Sequence, residues 1–207
     1  MMFETPVLVG IGGTSSNVGK TTLMCDLLSV LPGWEAIKTT RGHYRSCGKT
    51  PHACCVSHLL RDEPTVHSGK QHTYESGKDT GRYWDAGAGN VHWVIATEDQ
   101  IGRGINLAVQ RVSGEGVLIE GNSFSQHVNV DLMVMVTDGF SPIKKSAKAV
   151  LAKCKVVYVS SAVDTVQEAL TTADLPILRR EDLPQLLQQI RSVAAARRCV
   201  IGKVSHS

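Results

Sequence analysis

Apolar and polar positions along the chain alternate between two periods, short unbroken apolar runs and stretches whose apolar residues recur every third or fourth place. "VLVGIGG" at 7–13 is a continuous apolar run that ends in glycines, as expected of a strand buried on both faces. Leu23, Leu27 and Leu31 follow at helical spacing, and the Pro-Gly pair at 32–33 stops that helix. Further strands are predicted at 34–40, 91–97, 116–121, 131–138, 156–163 and 175–178. Helices are predicted between them. One is capped by Thr97 and Gln100 with Ile101, Ile105, Ala108 and Val112 on one face. A second starts at Ser141-Pro142 and buries Ile143, Ala147 and Val150. A short one is capped by Thr165 and Glu168, and a terminal one opens at Asp182 with Leu183, Leu187, Ile190 and Ala194 facing inwards. Strands that alternate with helices imply parallel pairing. The expected fold is three-layer α/β, a mostly parallel central sheet of about six to seven strands flanked by helices. One domain covers 1–207. Only 41–90, rich in Gly, His, Cys and Lys, lacks a clear period, and it reads as an irregular insertion of the kind that carries function.

Composition narrows the classes. The 207 residues are 42% hydrophobic and 20% charged, in the globular range. No apolar run is long enough for a membrane helix, and no signal peptide is legible, so the expectation is a cytoplasmic protein with no membrane partner. A net charge of +3 without a basic block, and 5% aromatics, argue against a nucleic-acid partner. The six cysteines are then expected to be reduced: core thiols, metal ligands or redox groups.

The candidate chemistry starts at Gly13–Thr22, "GTSSNVGKTT". An apolar strand delivers the chain, small residues expose backbone N–H groups, and a helix begins at the lysine. Together these build an anion site. Gly13, Thr14, Ser15, Ser16, Asn17, Val18, Gly19, Lys20, Thr21 and Thr22 are the nucleotide-binding candidates. Lys20 is placed on the β/γ-phosphates and Thr21 on Mg²⁺. The loop departs from G-x-x-x-x-G-K-[ST], because the glycine stands one place too early. Glu120, closing the apolar run "GVLIEG", is the candidate for holding Mg²⁺ with Thr21, with Asp131 and Asp138 as rivals. Asp164, in "SAVD", stands where a guanine-reading carboxylate would be, or it flanks a helix start.

With its five residues between glycine and G-K-T, the loop resembles those of the dethiobiotin synthetase and cobyrinic acid synthase-like P-loop group. "GGTSSNVGKTT", "AIKTTRGH", "GKDTGRYWDAGA" and "VLIEG" occur in the order seen in the molybdopterin-guanine dinucleotide biosynthesis adaptor (MobB-type) family, over roughly the first 120 residues. The resemblance implies purine nucleotide binding, GTP rather than ATP, with Mg²⁺ as cofactor and slow hydrolysis. It also implies a homodimer and a partner protein of molybdenum cofactor biosynthesis. Carried over, Lys20 and Thr21 take the triphosphate and metal, Glu120 supports Mg²⁺, and Lys38, Lys78, Asp79 and Arg82 line a pocket that receives a second anionic group. Beside the resemblance, Lys20, Glu120 and Asp79 are the catalytic candidates, the last two for a general base, and Arg41 joins the cations for the second anion.

Two further readings stand beside this one. An ATP-dependent small-molecule kinase or ligase would use the same cations to hold an acidic acceptor. A nucleotide-gated metal-delivery protein would use the Cys/His segment 43–58, where Cys47, Cys54, Cys55 and His58 are soft ligands and His43 and His52 lie nearby. The family pattern does not demand that segment. A non-enzymatic adaptor that only binds nucleotide is the remaining alternative.

Overall fold

The structure is a computed structural model and describes residues 5–42, 57–163 and 166–204. Eight strands form one sheet, in the order β3-β4-β2-β5-β1-β6-β7-β8. In chain order they are β1 (Val7–Gly13), β2 (Glu35–Arg41), β3 (Thr65–Ser68), β4 (Val91–Ala96), β5 (Gly116–Glu120), β6 (Leu132–Thr137), β7 (Val156–Val159) and β8 (Ile177–Leu178). All neighbours pair in parallel except the edge strand β3, which is antiparallel to β4. The helices are α1 (Lys20–Leu28), α2 (Lys70–Thr73), α3 (Asp79–Asp85), α4 (Ile101–Gln110), α5 (Lys145–Leu151), α6 (Glu168–Thr171) and α7 (Leu183–Val204). This is the expected three-layer α/β fold, with one strand more than the apolar pattern predicts.

The alternation of side chains along β1 splits the core in two. Val7, Val9 and Ile11 pack with Leu23 and Leu27 of α1 and Leu186 and Ile190 of α7. Leu8 faces the other way, into a cluster with Ile101 and Ile105 of α4 and Ala147 and Val150 of α5. A Cβ at Gly10 would stand 2.4 Å from the Met133 sulfur, so the interior of β1 has room only for glycine there. Each face buries a strand-length apolar strip, which is why the central strands read as unbroken runs rather than alternating ones.

Several boundaries differ from expectation, for local reasons. Segment 57–90 is not irregular among its described residues, since it holds a 3-10 turn at Ser57–Leu59, then β3, α2 and α3. Four- to seven-residue elements are too short to show a period, and β3 is half-buried throughout. Only half of the Thr97–Gln100 capping box forms. The Gln100 side chain accepts from the Thr97 N–H at 3.2 Å, but its amide donates to the Asp62 carbonyl at 2.7 Å, and α4 starts at Ile101. Helix α5 begins at Lys145 rather than at Ser141, because Asp138 takes the Ser141 N–H (2.8 Å) into a turn of its own. Among the described side chains of α7 the fully buried positions are Leu186, Ile190 and Ala194, with Leu183 and Leu187 only packed against them. Thr165 lies outside the described residues. No helix of the described residues is long and apolar enough to cross a membrane.

Candidate functional site

The carboxyl ends of β1, β2 and β5 lie side by side, where chain order reverses across the sheet, the usual place for a ligand crevice in an open α/β sheet. Pairing register brings Ile11 opposite Glu120, and Glu120 opposite Lys38. The Gly13–Thr22 loop leaves the end of β1 directly above them.

The loop's extra residue is absorbed by the sheet. Thr14 donates its N–H to the Val136 carbonyl at 2.9 Å, continuing the β1–β6 ladder one step past Gly13. The free turn is therefore Ser15 to Val18, four residues between ladder and Gly19. Asn17 (φ 61°) and Gly19 (φ 89°) take left-handed conformations that reverse the chain into α1. A Cβ at Gly19 would also meet Ser160 at 2.7 Å. Asn122 pins the other side, accepting from the Gly13 N–H and donating to the Gly13 carbonyl, both at 2.9 Å. Ser160, at the end of β7, donates to the Val18 carbonyl at 2.8 Å. A turn held from β5, β6 and β7 in this way presents its amides in a fixed array.

Lys20 opens α1 and folds back over the turn, its ammonium 3.0 Å from the Ser15 carbonyl. Burial, together with the charges of Lys38 and Lys144, pulls its pKa below the ordinary lysine value against the opposing pull of Glu120 and Asp79. Such a group gains from an incoming polyanion. Beside it, the Thr21 hydroxyl donates to Glu120 at 3.1 Å. The buried Glu120 carboxylate also accepts from the Lys38 ammonium at 2.7 Å and from the Tyr83 hydroxyl. Burial first, and then the neighbouring carboxylate, push the Tyr83 phenol well above its usual range, so it stays a donor.

Asp79 starts α3 and pairs with Lys38 at 2.6 Å. Burial would raise its pKa, but Lys38, Thr21 and Arg82 outweigh that and hold it below the usual carboxylate range. Lys38 shows the converse: burial would lower its pKa, yet Glu120 and Asp79 raise it. The result is a charged row, Asp79–Lys38–Glu120, along one wall of a cavity of about 530 Å³ that Lys20, Thr21 and Arg82 also line. That volume lies within the range of small-molecule sites.

The structure thus gathers Lys20, Thr21, Lys38, Asp79, Arg82 and Glu120 into one cavity. Lys78 faces a neighbouring one. Arg41 lines neither cavity and is paired instead with Glu98 beyond β4. Neither rival of Glu120 stands beside Thr21. Asp131, at the opposite end of β6, accepts from the Leu8 N–H and Arg197, and Asp138 caps the turn at Phe140 and Ser141. Asp164, Cys47, Cys54, Cys55, His43 and His52 lie outside the described residues. His58 is exposed in its 3-10 turn, and no cluster of three or more His, Cys, Asp or Glu among the described residues could hold a metal alone. Of the cysteines, Cys154 is a core thiol, pushed up to about 12 by burial. Cys25 is half-buried and also raised, first by burial.

Tyr83, Asn122, Ser160 and Lys144 are site residues that sequence reading misses. Tyr83 sits in the same quoted "GKDTGRYWDAGA" as Asp79, one helical turn on, which was the available signal. For the other three the chain offers none.

The fold and the loop together place a glycine-containing turn and a helix start at Lys20 on the carboxyl end of β1, the geometry of an anion-binding turn. No family model and no curated protein matches the chain. Among solved structures it is similar to LpxK from Aquifex aeolicus in complex with ATP, at 17% identity and a TM-score of 0.48, covering 84% of this chain and 53% of that one. It is also similar to the signal recognition particle 54 kDa protein from Aeropyrum pernix K1 in complex with GDP, at 13% identity and a TM-score of 0.46, covering 95% and 50%. This chain spans about half the length of either.

Proposed function

We propose that the protein is a Mg²⁺-dependent P-loop NTPase that binds a purine nucleoside triphosphate and transfers its terminal phosphoryl group slowly to water. One observation carries this reading: Lys20, folded back on the held turn, lines one cavity with the Thr21–Glu120 pair, hydroxyl to carboxylate at 3.1 Å. The resemblance in "GKDTGRYWDAGA" favours GTP over ATP and a MobB-like role as a homodimer beside a cofactor-biosynthesis partner.

The chemistry asks for little beyond charge and alignment. The amides of Ser15 to Gly19 and the α1 N-terminus would hold the β/γ-phosphates, and Lys20 would follow charge onto the leaving oxygen. Thr21 and Glu120 are hard oxygen donors of the kind Mg²⁺ prefers alongside phosphate oxygens, and they would hold it. When bound, the ion neutralises charge on the phosphate oxygens. Arg82, on the cavity wall, offers paired N–H donors to the same group. Glu120 already accepts from three donors, whereas Asp79 keeps 41% of its side chain exposed. Asp79 is therefore the group placed to take a proton from the attacking water, after most of the P–O cleavage, as a weak base does in a loose transition state.

The test is nucleotide binding by wild type and Lys20→Ala, comparing GTP with ATP in Mg²⁺. Removing one charge-assisted contact should weaken binding about tenfold or more. Equal affinity in the variant would overturn the reading. A second reading, transfer to a small-molecule acceptor, is favoured by the cavity that adjoins the first across Lys38 and Asp79.

A further inference from the structure

A second cavity, of about 400 Å³, lies between the edge of the sheet and the α2–α3 segment. It shares two side chains with the phosphate cavity, Lys38 and Asp79, so one salt-bridged pair forms the partition between them. The walls differ in character. On the sheet side Trp93 presents a ring whose position is set twice, by its N–H bond to the Thr40 hydroxyl (2.8 Å) and by His67 of β3, 5.8 Å away between ring centres. Leu59 and Tyr74 add apolar surface. The α2 side is braced, because the buried Thr73 hydroxyl donates to the Gly69 carbonyl at 2.9 Å and accepts from the Trp84 N–H at 2.8 Å.

The charges at the partition and at the mouth are also unequal. Lys38 is neutralised by Asp79 and Glu120. Lys78 carries no ion pair among the described residues, and His72 stands on the same lining. Glu75, also on the lining, disfavours an anion anywhere but beside those two. A fixed aromatic wall, an unpaired ammonium and a carboxylate facing both cavities are the parts a phosphoryl acceptor site needs: a surface for the body, a charge for one end, a base for the reacting end.

We propose that this second cavity binds the phosphoryl acceptor, a small molecule with a flat apolar body, an anionic group at Lys78 and a hydroxyl at Asp79. The inference rests on the nucleotide reading above and names the substrate class of that site. In the transfer, the acceptor oxygen forms a bond to the γ-phosphorus while the bond from phosphorus to the β,γ-bridging oxygen breaks. That electron pair leaves with the nucleoside diphosphate. The hydroxyl proton passes to Asp79, whose side chain is 41% exposed and returns it to water.

The probe is 4-(hydroxymethyl)benzoate, which has one ring, one carboxylate and one primary alcohol. The full chain is incubated with it, Mg²⁺ and GTP or ATP labelled in the γ-phosphate. Label should appear as a phosphate ester of the probe. Lys78→Ala should raise the half-saturating probe concentration about tenfold, and Lys78→Arg should restore most of the loss. Asp79→Asn should stop transfer while probe binding, followed by equilibrium dialysis, is retained. Label released from wild type only as inorganic phosphate overturns the acceptor assignment, and so does transfer that Lys78→Ala leaves unchanged. Nucleotide binding by wild type is titrated in parallel; its absence overturns the underlying reading instead.

Discussion

Lys144 lies 128 positions from Ser16 in the chain, yet its ammonium stands 2.7 Å from the Ser16 hydroxyl. Its own N–H donates to the Thr14 carbonyl at 2.9 Å, so the backbone that carries it is anchored to the Gly13–Thr22 loop. The loop thus meets two cations, Lys20 from within and Lys144 from the turn after β6. Lys144→Met should weaken triphosphate binding roughly three- to fivefold, the worth of an exposed charge near an anion, and should flatten the salt dependence of binding. Titrations of variant and wild type at low and high salt check this; coincident curves at both would remove Lys144 from the site. The contrast with Lys20 is instructive at this scale. Lys20 and Thr21 are legible in the chain because strand, turn and helix start are contiguous there. Asn122, Ser160 and Lys144 act on the same loop from three other places, and nothing in their own neighbourhoods marks them; Tyr83 acts through Glu120 and is marked only by sharing a motif with Asp79.

At the scale of elements, the far end of the sheet shows how β2, β3 and β4 are held in order. Glu35, at the start of β2, is 2% exposed and hydrogen-bonds His92 of β4 at 2.6 Å. His92 in turn meets the Ser68 hydroxyl of β3 at 2.8 Å, and the other Glu35 oxygen accepts from the N–H groups of Ser113 and Gly114 before β5. Burial would raise the Glu35 pKa, but these bonds reverse the shift and lower it from 4.5. A carboxylate depressed on folding contributes stability above its unfolded value, and that contribution is lost as pH falls through the lower folded value. Stability should therefore decline as the solution is acidified below 4.5, and part of the decline should vanish in Glu35→Gln. At neutral pH the same variant should be about 2 kcal/mol less stable, because buried donors lose a charged acceptor. Urea midpoints measured down the pH range test both statements; parallel pH profiles for the two proteins would refute the assignment. The network also explains why β3 escapes pattern reading. Its four residues are ordered by Ser68 and by pairing with β4, not by an apolar face of their own.

For the whole molecule, the site ties α1, α3 and five strands together through the Gly13–Thr22 loop and Glu120, so the proposed nucleotide binding would be coupled to global stability. At a Mg²⁺–triphosphate concentration about a hundredfold above Kd, unfolding should cost about 2.7 kcal/mol more. For a chain of this size that is a rise in Tm of roughly 5–10 °C, absent in Lys20→Ala and read by thermal denaturation. Much of the architecture was open to view in the chain itself. Unbroken apolar runs alternating with helical spacing determined a parallel α/β sheet, since only strands covered on both faces bury such runs, and the loop from Gly13 to Thr22 located the anion site, because its three physical requirements are met within one stretch. Tertiary structure alone decided the remainder. It moved Thr14 into the ladder, gave the 57–90 segment its strand and helices, turned Arg41 away to Glu98, and set Asp79 and Lys38 as the wall between two cavities. The reason is one of range: periodicity and turn chemistry act over a few residues, whereas a carboxylate's role depends on which distant cations and hydroxyls the sheet order brings within about 3 Å.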